Sequence, residues 1–131
     1  MLKRLGLIIV SMHLWLLTGC IALVVGAGAG AGTFAYVDGQ LSRTYRADYR
    51  TTYEVCKSIL ADMKMPVLEE ESDGLQTTIK SQRVDETPMT IKIRIIDPKW
   101  TEVSVRTGYV GVWKKEISEQ FHGFIAQRIK K

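Results

Sequence analysis

The chain has 131 residues, 46% hydrophobic and 24% charged, with 18 Lys and Arg against 14 Asp and Glu for a net charge of +4. Set a leader aside and one small domain remains, with no room for two. Lys3 and Arg4 leave with that leader and the excess falls to +2, which gives nucleic-acid binding no electrostatic footing.

Lys3 and Arg4 form a basic start, and Leu5 to Leu17 an apolar run broken only by Ser11 and His13, the pattern of a secretory signal peptide. Leu17-Thr18-Gly19-Cys20 follows, an aliphatic residue, two small ones and a Cys. This is a lipobox: the signal is cleaved between Gly19 and Cys20, and Cys20 becomes an acylated N-terminus. Several acyl chains on Cys20 would hold the protein stably at a lipid bilayer, where one chain is marginal. The competing reading is an uncleaved helix over Leu5 to Val25, long enough to cross a hydrocarbon core of ~30 Å. Both readings keep Lys3 and Arg4 inside and put residues 33–131 outside the cytoplasm. Ile21 stands where an Asp commonly retains lipoproteins at the inner membrane of diderm bacteria, so a periplasm-facing outer-membrane address is favoured over an inner-membrane one. The Gly/Ala tract from Gly26 to Gly32 reads as a tether with little side chain to bury, or as a membrane helix with small-xxx-small spacing. As a coil, the stretch from Cys20 to Tyr36 spans about 22 Å. The division is 1–19 signal, 20–35 lipidated Cys and tether, 36–131 extracytoplasmic domain.

Within that domain Gln40 to Ala47 alternates as a strand, with Leu41, Arg43, Tyr45 and Ala47 on one face. Thr51 and Glu54 have capping-box spacing and start a helix carrying Tyr53, Cys56, Ile59, Leu60 and Met63 on one stripe until Pro66. From Val67 the period changes to two. Val67 to Ser72 and Leu75 to Arg83 form a hairpin about Asp73-Gly74. Met89 to Asp97 points Ile91, Ile93 and Ile95 inward, and Thr101 to Thr107 returns with Val103 and Val105 inward. One face of such a sheet is wet and the other needs cover. Ile117, Phe121, Phe124, Ile125 and Ile129 on a last helix from about Lys114 to Ile129 help supply it. The expected fold is α+β, an antiparallel sheet of about five strands with two helices on one face, in the order β-α-β-β-β-β-α.

Chemistry is harder to find. With Cys20 acylated no disulfide can form, and Cys56 falls at an apolar helical position, where Cys behaves as a small buried hydrophobe. The mature chain keeps one His, His122, read as a helix-boundary residue at the wet edge. Without a second His, a four-cysteine cluster or a nucleophile beside a base, neither a zinc site nor a catalytic constellation is legible, and no metal or cofactor is expected. Glu69, Glu70, Glu71 and Asp73 cluster, but in a strand they alternate faces and cannot converge on one cation. Gly108-Tyr109-Val110-Gly111-Val112-Trp113, apolar and punctuated by glycine, has two readings. Its side chains fold back to close one end of the core, or Tyr109, Val112 and Trp113 form an exposed surface for a partner or an adjacent bilayer.

The lipobox and Gly/Ala tract, the run Gly32-Thr33-Phe34-Ala35-Tyr36-Val37-Asp38-Gly39-Gln40-Leu41, then Tyr45, and Thr101-Glu102-Val103-Ser104-Val105-Arg106 leading into Gly108 and Gly111 resemble a family of small bacterial lipoproteins of unknown function. In that family an acidic residue suited to capping the last helix follows the second glycine, where this chain has Val112-Trp113. The resemblance supports the fold and the address and implies no activity. The expected function is therefore a membrane-anchored envelope lipoprotein acting as a non-enzymatic binding or accessory module, with an envelope protein as possible partner and an open oligomeric state. The alternative is a small ligand-binding or enzymatic periplasmic domain whose site is scattered in sequence.

Overall fold

The structure is a computed structural model that describes Met1 and residues 35–130. The signal peptide, Gly19, Cys20 and the Gly/Ala tract lie outside the described residues. The chain divides into two units, 1–33 and 34–131, and the described strands and helices all belong to the second.

Its elements are β1 (Ala35–Val37), β2 (Gln40–Tyr45), α1 (Tyr49–Asp62), β3 (Val67–Ser72), β4 (Gln76–Gln82), β5 (Pro88–Asp97), β6 (Trp100–Tyr109), β7 (Val112–Trp113) and α2 (Lys115–Ile129). All strand pairs are antiparallel, in the order β1-β2-β6-β5-β4-β3, with β7 pairing to the end of β6. The α+β class and the two helices over one sheet face are as expected. The sheet has seven strands rather than about five. The additional strands, β1 and β7, have three and two residues, too few to show an alternation.

The core follows from the register. Ile79, Ile91, Val105 and Leu41 form one straight row across four strands, and all four are fully buried. The next row runs Thr77, Ile93, Val103 and Arg43. Cys56, Ile59 and Leu60 of α1 and Phe121 and Ile125 of α2 cover these rows. Among the described residues, those of the core cluster and those packed against it lie between Tyr45 and Ile129, with Leu41 also fully buried. The opposite face is polar, crossed by Ser42 to Ser104 at 2.7 Å, Arg94 to Glu102 at 2.7 Å and Lys80 to Glu69 at 2.7 Å.

Helix α1 starts earlier than the Thr51 capping box suggested. Asp48 is the N-cap, its carboxylate accepting from the Thr51 amide and hydroxyl, each at 2.8 Å, and these bonds hold the Asp48 carboxyl below its ordinary pKa. A carboxylate satisfies the free amides of a first turn better than a threonine hydroxyl, and Glu54 pairs with Arg50 instead. At the other end Lys64 adopts a left-handed φ of 55°. The Lys64 amide donates to the Ala61 carbonyl and the Met65 amide to the Leu60 carbonyl, at 3.1 and 2.9 Å, a Schellman closure ahead of Pro66. The N-cap position of α2 falls to Lys114, with no side-chain cap bond, as the replacement of an acidic residue by Val112-Trp113 implied.

Candidate functional site

Strand directions bring three turns, at residues 38–39, 83–87 and 110–111, to one end of the sheet. There the last strand doubles back: Gly108 pairs with Trp113 and Tyr109 with Val112. The return depends on Gly108, with φ 112°, because a Cβ there would stand 2.3 Å from the Val112 carbonyl oxygen. Beside it lies the β1–β2 hairpin, whose turn residues Asp38 and Gly39 have φ of 48° and 76°, as a tight Asp-Gly turn requires. A Cβ on Gly39 would fall 2.2 Å from the Trp113 ring, so the indole rests directly on this backbone. Arg106 stacks on Trp113 with its guanidinium carbon 5.2 Å from the ring centroid, and Lys115 Nζ lies 5.3 Å from the centroid of Tyr36.

The result is an apolar corner. Val110 is 91% exposed, Val37 and Val112 66%, and Tyr109 60%. Tyr109 donates its hydroxyl to the Glu86 carbonyl at 3.1 Å. Trp113 is half-buried, shielded by Gly39 and Arg106. None of these side chains belongs to the core cluster, so the segment does not fold back to close the core. Tyr109, Val112 and Trp113 share one hairpin but not one face: Tyr109 and Val112 stand opposite each other, while Trp113 pairs with Gly108 on the other face and packs on Gly39 and Arg106, which sequence reasoning did not group with it. The Asp38-Gly39 pair was the available signal, since that dipeptide before an alternating segment marks a hairpin.

His122 is not at a wet edge. It is fully buried inside α2, with Nδ1 2.7 Å from the Tyr45 hydroxyl and Nε2 2.8 Å from the Leu41 carbonyl. Leu41 can only accept, so Nε2 carries the proton, and the Tyr45 hydroxyl beside Nδ1 also donates to the His122 carbonyl at 3.1 Å. Arg43 sits over the Tyr45 ring at 5.2 Å. Burial pulls the His122 pKa down to about 4, opposed by the bond to Leu41 and aided by the charge of Arg43. Burial also raises the Tyr45 phenol above its ordinary value. Each imidazole nitrogen already has a protein partner and the ring has no open face, so this cluster joins β2 to α2 rather than presenting a base.

Cys56 is fully buried and burial pushes its thiol up to about 12, the inert state expected of it. The acidic hairpin disperses as its alternation implied. Glu69 pairs with Lys80, Glu70 accepts from Tyr53 and Lys57 at 2.6 and 2.9 Å, and Asp73 Oδ1 accepts from the Leu75 and Gln76 amides. These bonds hold all three carboxyls below their usual range. Among the described residues no three His, Cys, Asp or Glu are placed to hold a metal ion, and no helix is long and apolar enough to cross a membrane. A depression of about 280 Å³ lies against Met63, Met65, Arg83, Val84 and Asp85, lined by one cation already paired with the neighbouring acid.

Fold and site thus describe a small two-layer α+β domain with an apolar corner on its sheet. The chain belongs to the family described as "Protein of unknown function (DUF3568)", which residues 3–128 match. No curated protein matches it.

Proposed function

We propose that this chain is an envelope lipoprotein, exported, cleaved before Cys20 and acylated there, which displays the domain from residue 36 outside the cytoplasm as a non-enzymatic binding or accessory module. The observation that carries the reading is Leu17-Thr18-Gly19-Cys20, placed directly after a basic start and an apolar run and inside the span that matches the family. The domain that follows has a core of strand and helix residues from Tyr45 to Ile125, enough to carry a fold displayed outside the cytoplasm. Ile21 favours the outer membrane, and an envelope protein is the partner class that such an address offers.

Labelling cells with radioactive palmitate tests the anchor. Wild-type protein is expected to take up label and fractionate with membranes, and Cys20→Ala to lose both label and signal cleavage. Equal labelling and unchanged mass in Cys20→Ala would refute it.

A further inference from the structure

We infer that the corner formed by Val37, Tyr109, Val110, Val112 and Trp113 docks on the lipid bilayer, seating the domain against the membrane that its acylated Cys20 enters; this rests on the lipoprotein reading above. Single exposed apolar residues are ordinary on a protein surface, but a group of them on adjoining turns marks a contact surface. Here the seating of Trp113 on Gly39 brings two hairpins together at one end of the sheet, the register puts Tyr109 and Val112 on one face of that end and Val37 and Trp113 on the other, and four of the five side chains are 60% exposed or more.

Shape and chemistry favour lipid over protein. Val110-Gly111 is a hairpin tip, and a projecting apolar tip can enter a fluid interface, whereas protein hot spots sit in fitted, dehydrated pockets. A Trp and a Tyr beside Lys114 and Lys115 suit the headgroup layer, where amphipathic rings settle and lysine stems extend toward water. Lys114 lies beside Asp85 and Thr87, and Lys115 beside Glu119 and the Tyr36 ring, so burial of apolar surface drives the contact and anionic lipid adds little.

The anchor limits the distance. Tyr36 is sixteen residues beyond Cys20, and at no more than about 3.4 Å per residue even a straight leash keeps it within about 55 Å. Val37, the next residue, is itself part of the corner. Of the other exposed apolar residues, Val84 lies in the 83–87 turn at this same end, whereas Leu75, Ile96 and Trp100 lie toward the opposite end of the sheet and Leu68 on the far edge strand.

The mature chain has two tryptophans, Trp100 and Trp113, toward opposite ends of β6 and its hairpin, so Trp100→Phe and Trp113→Phe each leave one reporter. The chain from Cys20 is coupled through that thiol to a maleimide lipid, in phosphatidylethanolamine and phosphatidylglycerol vesicles with brominated acyl chains. Cys56 is fully buried and does not compete for the coupling. The expected result is loss of Trp113 emission with Trp100 emission retained. The paired substitution Val110→Asp and Val112→Asp, at open positions where folding is verified by circular dichroism, is expected to restore Trp113 emission. Equal quenching of both reporters, as a protein-binding corner would give, overturns the inference. So does quenching of Trp113 that survives the double substitution. Chemical coupling replaces acylation here, so failure of this experiment and failure of palmitate labelling are separate results.

Discussion

Lowering the pH from 7 to 4 asks His122 to accept a proton where each nitrogen is already engaged: Nε2 faces the Leu41 carbonyl and Nδ1 the Tyr45 hydroxyl. Its pKa in the folded chain is about 4, against about 6.5 for a free imidazole. Between those values the unfolded chain holds a proton that the folded chain lacks, so stability falls as the pH drops through 6.5 and levels off below the folded value. The gap corresponds to about 3 kcal/mol, and the ring is fully buried, so solvent screening does not reduce it. The carboxyls of Asp48, Glu69, Glu70, Asp73 and Asp85 are held below their usual range. Their stability is present at higher pH and is lost as the pH falls through their lowered values, and it is common to wild type and variant. Urea unfolding of residues 34–131 at each pH, for wild type and His122→Gln, isolates the imidazole. Wild type is expected to lose about 3 kcal/mol more than the variant by pH 4. Parallel stability curves would refute the reasoning, whatever the variant's own cost.

Lys64 closes α1 with a φ of 55°, and Lys64→Gly is expected to raise the urea midpoint at unchanged slope, a gain of about 0.5–1 kcal/mol; a lower midpoint would mean that the lysine side chain contributes more than its backbone strain costs. Gly39→Ala meets both a left-handed φ and the Trp113 ring. In a Trp100→Phe background it should displace the indole, shift its emission to the red and destabilise the domain by about 1–3 kcal/mol; unchanged emission would show that Trp113 does not rest there.

Residues whose environment is set by near neighbours were legible. Ile91, Ile93, Val103 and Val105 announced their burial by simple alternation, and Asp73-Gly74 its hairpin. Asp48 was missed because Thr51 and Glu54 also fit a capping box, and the choice between two local solutions depends on where β2 releases the chain. His122 was misread for a different reason. Its partner Tyr45 is 77 residues away, and no periodicity within α2 tells that a hydroxyl waits on another element. The apolar corner was half visible: Tyr109, Val112 and Trp113 stood out in sequence, but the seat of Trp113 is the bare backbone of Gly39, 74 residues earlier in the chain. Its other half, Val37, sits in a strand too short to carry a pattern.

Among the described residues the sheet ends in two edge strands, β1 and β3, and they differ. β1 offers three residues, too few to template another chain. β3 offers six, every one exposed, but its pairing with β4 slips between Val67 and Glu69 and three consecutive glutamates follow. Glu69 and Glu70 are tied to lysines on their own molecule, so an arriving strand would have to dislodge those pairs and lie along a row of carboxylates. Such charge and irregularity are how natural sheets resist growing edge to edge. Wherever copies of the chain meet at high local concentration, that margin disfavours strand-to-strand growth between them.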